Sequence, residues 1–170
     1  MNESIKEQLE STFKTIVVTI PEGTRIVINV KKDQLLTVLR FLKDRRFDHL
    51  ALVSCVDWIE EKDFELVYIL TCYMQSEKEY TDQERLHLIV KTRISRQSPR
   101  LETVTGIFPN AEPYEREIHE LFGIDFAGHP RLTPLLLERD YEVPPFRKDF
   151  DTRKYVEEFF GNIPSVENNK

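Results

Sequence analysis

Cysteine is scarce in this chain of 170 residues: Cys55 and Cys72 are the only two. A cluster of iron and sulfide generally takes about four protein ligands, so this chain alone is not expected to hold one. Both thiols sit inside apolar, strand-like runs and read as packing residues of a reducing compartment rather than a disulfide. Glycine is equally sparse, with five residues and neither a G-x-G-x-x-G nor a P-loop among them, so nucleotide phosphates have no evident cradle. No uninterrupted apolar run approaches the ~18 residues of a membrane span. The opening MNESIKEQLESTF lacks the cationic and apolar regions of a signal peptide, which gives cytoplasmic residence as the expectation. Acidic residues outnumber basic ones, 30 to 24, and no Lys/Arg block stands out. Nucleic-acid binding needs clustered positive charge to neutralise phosphates and is not expected here.

What is present describes a globular chain: 40 % hydrophobic and 32 % charged residues, in a length suited to about one domain. Ile5, Leu9 and Phe13 recur every four residues and predict a short amphipathic helix. TIVVTI (15–20) and TRIVINV (24–30) flank Pro21–Gly23 and predict a hairpin. Asp33 is placed to cap a second helix carrying Leu35, Leu36, Leu39 and Leu42. Three apolar runs follow, HLALVSCVDW, FELVYILTCYM and ERLHLIVKTRI. In the third, Leu86, Leu88 and Val90 alternate with His87, Lys91 and Arg93, so one face is expected to enter the core. The short polar loops between these strands favour antiparallel pairing. The fold class expected is α+β, ordered α-β-β-α-β-β-β-α: a mostly antiparallel sheet with helices on one side over residues 1–128. An extended arm is expected over 129–170.

A further helix is expected after Asn110 as its cap, with Pro113 in the first turn and Gly123 as a left-handed C-terminal cap. Its Ile118, Leu121 and Phe122 form an apolar stripe. Beyond His129 the character changes, for five of the nine prolines lie between Pro130 and Pro164. Leu132, Leu135, Leu136, Leu137, Tyr141, Phe146 and Phe150 nevertheless make this segment too apolar for a solvated tail. A Pro-rich apolar arm with a short terminal helix, lying against a partner protein, is the expectation.

Chemistry concentrates in EREIHELFGIDFAGHP (115–130). His119-Glu120 begins like a zincin motif, but Gly123 stands where the second histidine belongs. Glu115 and His119 at i, i+4, with His129 arriving from the loop, remain an alternative three-ligand set for a stand-alone metal-dependent enzyme. No Ser-His-Asp or Cys-His signature is recognisable. Glu115, Arg116 and Glu117 read either as a solvated helix face or as charges rimming an interface, since Arg116 suits bidentate pairing.

The run YEREIHELFGIDFAGHPRLTPLLL, followed by RKDF at 147–150, resembles the signature of the 30 kDa subunit of respiratory complex I. The matching small hydrophilic subunit of membrane-bound, energy-converting hydrogenases belongs to the same family. The likeness rests on Glu115, Arg116, Glu117, Leu121, Phe122, Gly123, Ile124, Phe126, His129, Pro130, Leu132, Leu135 and Leu136, then Arg147, Lys148, Asp149 and Phe150. Asp57-Trp58 resembles the family's Asp-aromatic pair. The resemblance implies a non-catalytic subunit with no cofactor of its own, on the cytoplasmic side of the membrane. It implies as partners a hydrogenase-like large subunit and an adjacent iron–sulfur subunit. Those chains would carry the iron–sulfur clusters and any nickel–iron site. Partner contacts are then expected at Glu115, Arg116, Glu117, Phe122, His129, Pro130, Leu132, Leu135, Leu136, Arg147, Lys148, Asp149 and Phe150. The respiratory pattern carries Gly-His-Pro-Leu before the RKDF element, whereas this chain has VPPF at 143–146 and Pro113 where an aromatic is common. Those departures point to an archaeal or anaerobic hydrogenase or sulfur-reducing complex rather than a quinone-reducing NADH dehydrogenase.

Overall fold

A computed structural model describes residues 2–21, 24–72, 86–138 and 141–161. Helix α1 (Asn2–Thr12) leads into strands β1 (Val17–Thr19) and β2 (Arg25–Val30). A 3-10 turn (Lys32–Gln34) opens directly into α2 (Leu35–Lys43). Asp33 lies inside that turn and no side chain caps α2, so the expected Asp33 cap is corrected. Strands β3 (His49–Trp58), β4 (Asp63–Thr71) and β5 (His87–Ser95) follow. Next come β6 (Arg100–Glu102), α3 (Ala111–Phe122), β7 (Asp125–Ala127) and α4 (Thr152–Phe160). The tip of the expected hairpin turn at 22–23 and the chain beyond Gly161 lie outside the described residues.

The main sheet runs β1-β2-β5-β4-β3 and is antiparallel except where β2 pairs with β5 in parallel, Ile28 opposite Val90. Alternation sends one face inward: Phe64, Leu66, Tyr68 and Leu70 on β4, with Leu88, Val90 and Ile94 on β5. On β3 a register shift between Leu50 and Leu52 changes the parity, so that Leu50, Val53, Cys55 and Asp57 are all buried. That places a carboxylate, Asp57, on the inward-facing set of an otherwise apolar strand. Burial pushes the Cys55 thiol up to about 12, which leaves it a packing residue. A single buried cluster joins this face to Ile5 and Leu9 of α1, to Leu35, Val38, Leu39 and Leu42 of α2, and to Ile118, Leu121 and Phe122 of α3. The fold is α+β, as the periodicity indicated. Strands β6 and β7 add a small parallel pair, Leu101 opposite Phe126, beside the start of the arm.

Candidate interaction site

Helix α3 ends where Gly123 turns left-handed at φ 74°, its N–H bonded to the carbonyl of His119. Asn110 does not cap the helix. Its amide instead donates across the fold to the Leu50 carbonyl at 2.8 Å, a correction to the local capping rule by a tertiary partner. Pro113 is accommodated in the first turn, where its missing N–H has no intrahelical acceptor to lose.

Glu115 faces inward and is wholly buried. Its carboxylate accepts the Val104 N–H at 2.7 Å and the Thr103 hydroxyl, tying α3 to the loop after β6. Burial pushes its pKa up to about 7, with those two hydrogen bonds pulling the other way. Both of these carboxylate bonds are made within the chain. His119 bonds through Nδ1 to the Ile124 carbonyl at 2.8 Å, bracing the Gly123 turn. His129 approaches Glu115 only to 4.0 Å and pairs through Nε2 with the Glu112 carbonyl. Among the described residues no three His, Cys, Asp or Glu side chains gather as metal ligands, so the Glu115–His119–His129 set does not assemble.

The next face of α3 carries Glu112, Arg116 and Glu120 at i, i+4 and i+8, and it holds the arm. Glu112 takes Arg131 and Arg116, each at 3.3 Å. Arg116 is buried and donates to the carbonyls of Thr133 at 2.9 Å and Pro134 at 2.8 Å. The Glu120 carboxylate accepts three successive backbone N–H groups, those of Leu135, Leu136 and Leu137, at 3.1, 2.9 and 2.6 Å. Partial burial opposes its ionisation, but those donors and nearby Arg116 hold its pKa below the usual carboxylate range.

A second clip fastens the RKDF element. The Phe146 N–H bonds to the Leu121 carbonyl at 3.0 Å and Arg147 Nε to the Phe122 carbonyl at 2.7 Å, answering carbonyls left free at the helix end. Phe122 is buried between the rings of Phe64 and Phe146, with centroids 6.0 and 5.9 Å away. Buried Asp57 accepts the Lys148 N–H at 2.9 Å and pairs with Arg96 at 2.7 Å, and Arg96 reaches Asp149 at 2.8 Å. Farther on, Phe150 meets the Tyr141 ring edge-on and lies tilted against Tyr155, and Asp151 caps α4 through the Lys154 N–H.

The sites expected from sequence thus divide. Glu115, Arg116 and Phe122 are buried in the chain, and Arg147, Lys148 and Asp149 make bonds within it. Leu132 packs partly on the core, and Glu117, His129 and Phe150 are half-buried. Pro130, Leu135, Leu136 and, from the apolar arm, Phe146 are exposed, the last three at 40, 62 and 60 %. Sequence reasoning also missed Asp57 as a clasp residue, along with Arg96, Glu112 and Glu120. The signals were an acid at a core-facing strand position and an acid–arginine–acid series one helical turn apart.

The geometry is that of an α+β module with a folded-back C-terminal arm, in which no helix among the described residues is long and apolar enough to cross a membrane. The chain belongs to the family of the 30 kDa subunit of respiratory-chain NADH dehydrogenase, whose model matches residues 28–156. It is 39 % identical over 134 residues to a subunit of the F420H2 dehydrogenase of Methanosarcina mazei, covering 78 % of this chain and 79 % of that one. It is 33 % identical over 146 residues to a subunit of the NADH-quinone oxidoreductase of Moorella thermoacetica, covering 85 and 91 %. Among solved structures, a chain of the membrane-bound sulfane sulfur reductase, an archaeal respiratory membrane complex, superposes with a TM-score of 0.83 at 30 % identity. That match covers 99 % of this chain and 96 % of the other.

Proposed function

We propose that this chain is a non-catalytic docking subunit in the peripheral arm of a membrane-bound, ion-translocating oxidoreductase of the complex I type. Its arm binds the hydrogenase-like large subunit, next to an iron–sulfur subunit, on the cytoplasmic side. Electron transfer then belongs to the iron–sulfur clusters, and any nickel–iron site, of those partner chains. The archaeal hydrogenase or sulfane sulfur reductase type is favoured over the quinone-reducing type. Supporting that choice are the near full-length likeness to a chain of the sulfane sulfur reductase and the similarity to the Methanosarcina F420H2 dehydrogenase chain.

One observation carries the docking reading: Leu135, Leu136 and Phe146 stand exposed on a backbone that is itself hydrogen-bonded to the domain. Large apolar side chains held in water forfeit about 1.5–3 kcal/mol each of available burial, which a partner surface would recover. The test is co-purification of the large subunit with tagged parent chain and with a Leu135→Ser/Leu136→Ser/Phe146→Ser variant. The expected result is loss of the large subunit from the variant while its circular dichroism matches the parent. Full recovery of the large subunit would overturn the reading.

A further inference from the structure

We infer that the Glu112–Arg116–Glu120 stripe of α3 sets the arm in its docking shape before any partner arrives, so that Leu135 and Leu136 form a preformed apolar epitope. This deepens the docking reading above and rests on it. An apolar segment folding back on its own domain ordinarily buries its side chains and leaves its backbone to water. Here the order is inverted between residues 133 and 136. The carbonyls of Thr133 and Pro134 face Arg116, and the N–H groups of Leu135 and Leu136 face Glu120. With the backbone turned to the helix, the two leucine side chains remain outside at 40 and 62 % exposure, while Leu137 tucks partly against the core.

Three consecutive N–H groups converging on one carboxylate make a small anion nest, and here a residue of the same chain fills it. The charges of the stripe are also answered internally, Glu112 by Arg116 and Arg131, and Glu120 by the nest. The occupant that fits the leucines is therefore an uncharged apolar pocket on the large subunit, not a surface needing a counter-ion. A preset arm binds without an ordering step. Its loss lowers the competent fraction of free chains and weakens apparent affinity by that same fraction.

The test uses the full chain in three variants, Glu120→Ala, Glu120→Gln and Leu135→Ser/Leu136→Ser. Two readouts are taken: amide exchange at residues 135–137 in the free chain, and association and dissociation rates against the purified large subunit. Glu120→Ala is expected to speed exchange at those amides and to slow association by about tenfold, with dissociation little changed. Glu120→Gln, which keeps one acceptor oxygen, should recover part of both effects. Unchanged exchange in Glu120→Ala, or faster exchange with an unchanged association rate, overturns the preset arm and leaves docking intact. Parent-like binding by Leu135→Ser/Leu136→Ser would instead overturn docking through these leucines, whatever the exchange data show.

Discussion

The Arg147 guanidinium lies 3.0 Å from where a Cβ on Gly123 would stand, so the absent side chain at 123 is what lets the RKDF element seat. Pro144 is equally close, and the φ of 74° adds a backbone cost of about 1–2 kcal/mol for any L side chain. Gly123→Ala should therefore lose about 2–3 kcal/mol in urea denaturation, the clash adding to the backbone cost. In the Gly123→Ala/Arg147→Ala double variant the two losses should sum to less than their separate values, because the clash is shared. Strict additivity would show that the two positions do not meet.

Asp57 and Asp149 both hold Arg96, yet they should differ sharply in worth. Asp57 is buried and also holds the Lys148 N–H, so Asp57→Ala leaves that N–H without its acceptor and Arg96 with Asp149 alone, and should cost about 2–3 kcal/mol. The Asp149 side chain is 46 % exposed, and Asp149→Asn should stay within about 1 kcal/mol. Chemical denaturation of the two variants ranks them; equal losses would refute the assignment of the clasp to Asp57.

Glu115 predicts a stability that falls with rising pH. Its folded pKa of about 7 lies above the unfolded carboxylate value near ~4.3. Between the two the folded chain keeps a proton that the unfolded chain has released, so the contribution is complete below the lower value and lost as pH rises through the upper one. The difference amounts to roughly 4 kcal/mol. Asp149 and Glu120, both with lowered pKa, act oppositely and in a more acidic window. Urea melts at pH 5, 6, 7 and 8 should show the decline in the parent and a flatter profile in Glu115→Gln.

Lys62, in the turn between β3 and β4, holds φ at 57°, a left-handed value that side chains resist. Its N–H and C=O serve the backbone bonds to Ile59 and Arg96, which glycine would keep. Lys62→Gly should raise stability by about 0.5–1 kcal/mol and show as a higher Tm. A lower Tm would mean that the Lys62 side chain contributes more than its backbone costs.

Periodicity was a reliable guide wherever the core decided the structure. Leu35, Leu39 and Leu42 on α2, and Leu86, Leu88 and Val90 before and along β5, are buried as their spacing indicates. Gly123 was legible because its αL turn follows from a local rule. Polar residues were harder to place. Glu115 and Arg116 look like a solvated helix face in sequence, and only tertiary neighbours — Thr103, Val104 and the Thr133 and Pro134 carbonyls — explain their burial. Asn110 obeyed Leu50, sixty residues earlier in the chain, instead of its own helix. The register shift on β3 left no mark in the composition, yet it governs which way Asp57 points. Leu135 and Leu136 were legible as partner candidates, though the backbone contacts that hold them outward were not.

The parallel pairing of β2 with β5 bears on the order in which the chain folds. Strand β5 lies between β2 and β4, with Arg25 opposite His87 and Asp63 opposite Ser95. During synthesis β1 and β2 emerge first, and the inner edge of β2 stays unpaired until some sixty further residues have left the ribosome. The β3–β4 hairpin closes early and locally, but it too waits for β5 on its inner side. The last strand of the main sheet to be made is thus the one that joins its two halves, a non-local closure of the kind that slows folding and prolongs the exposure of open strand edges.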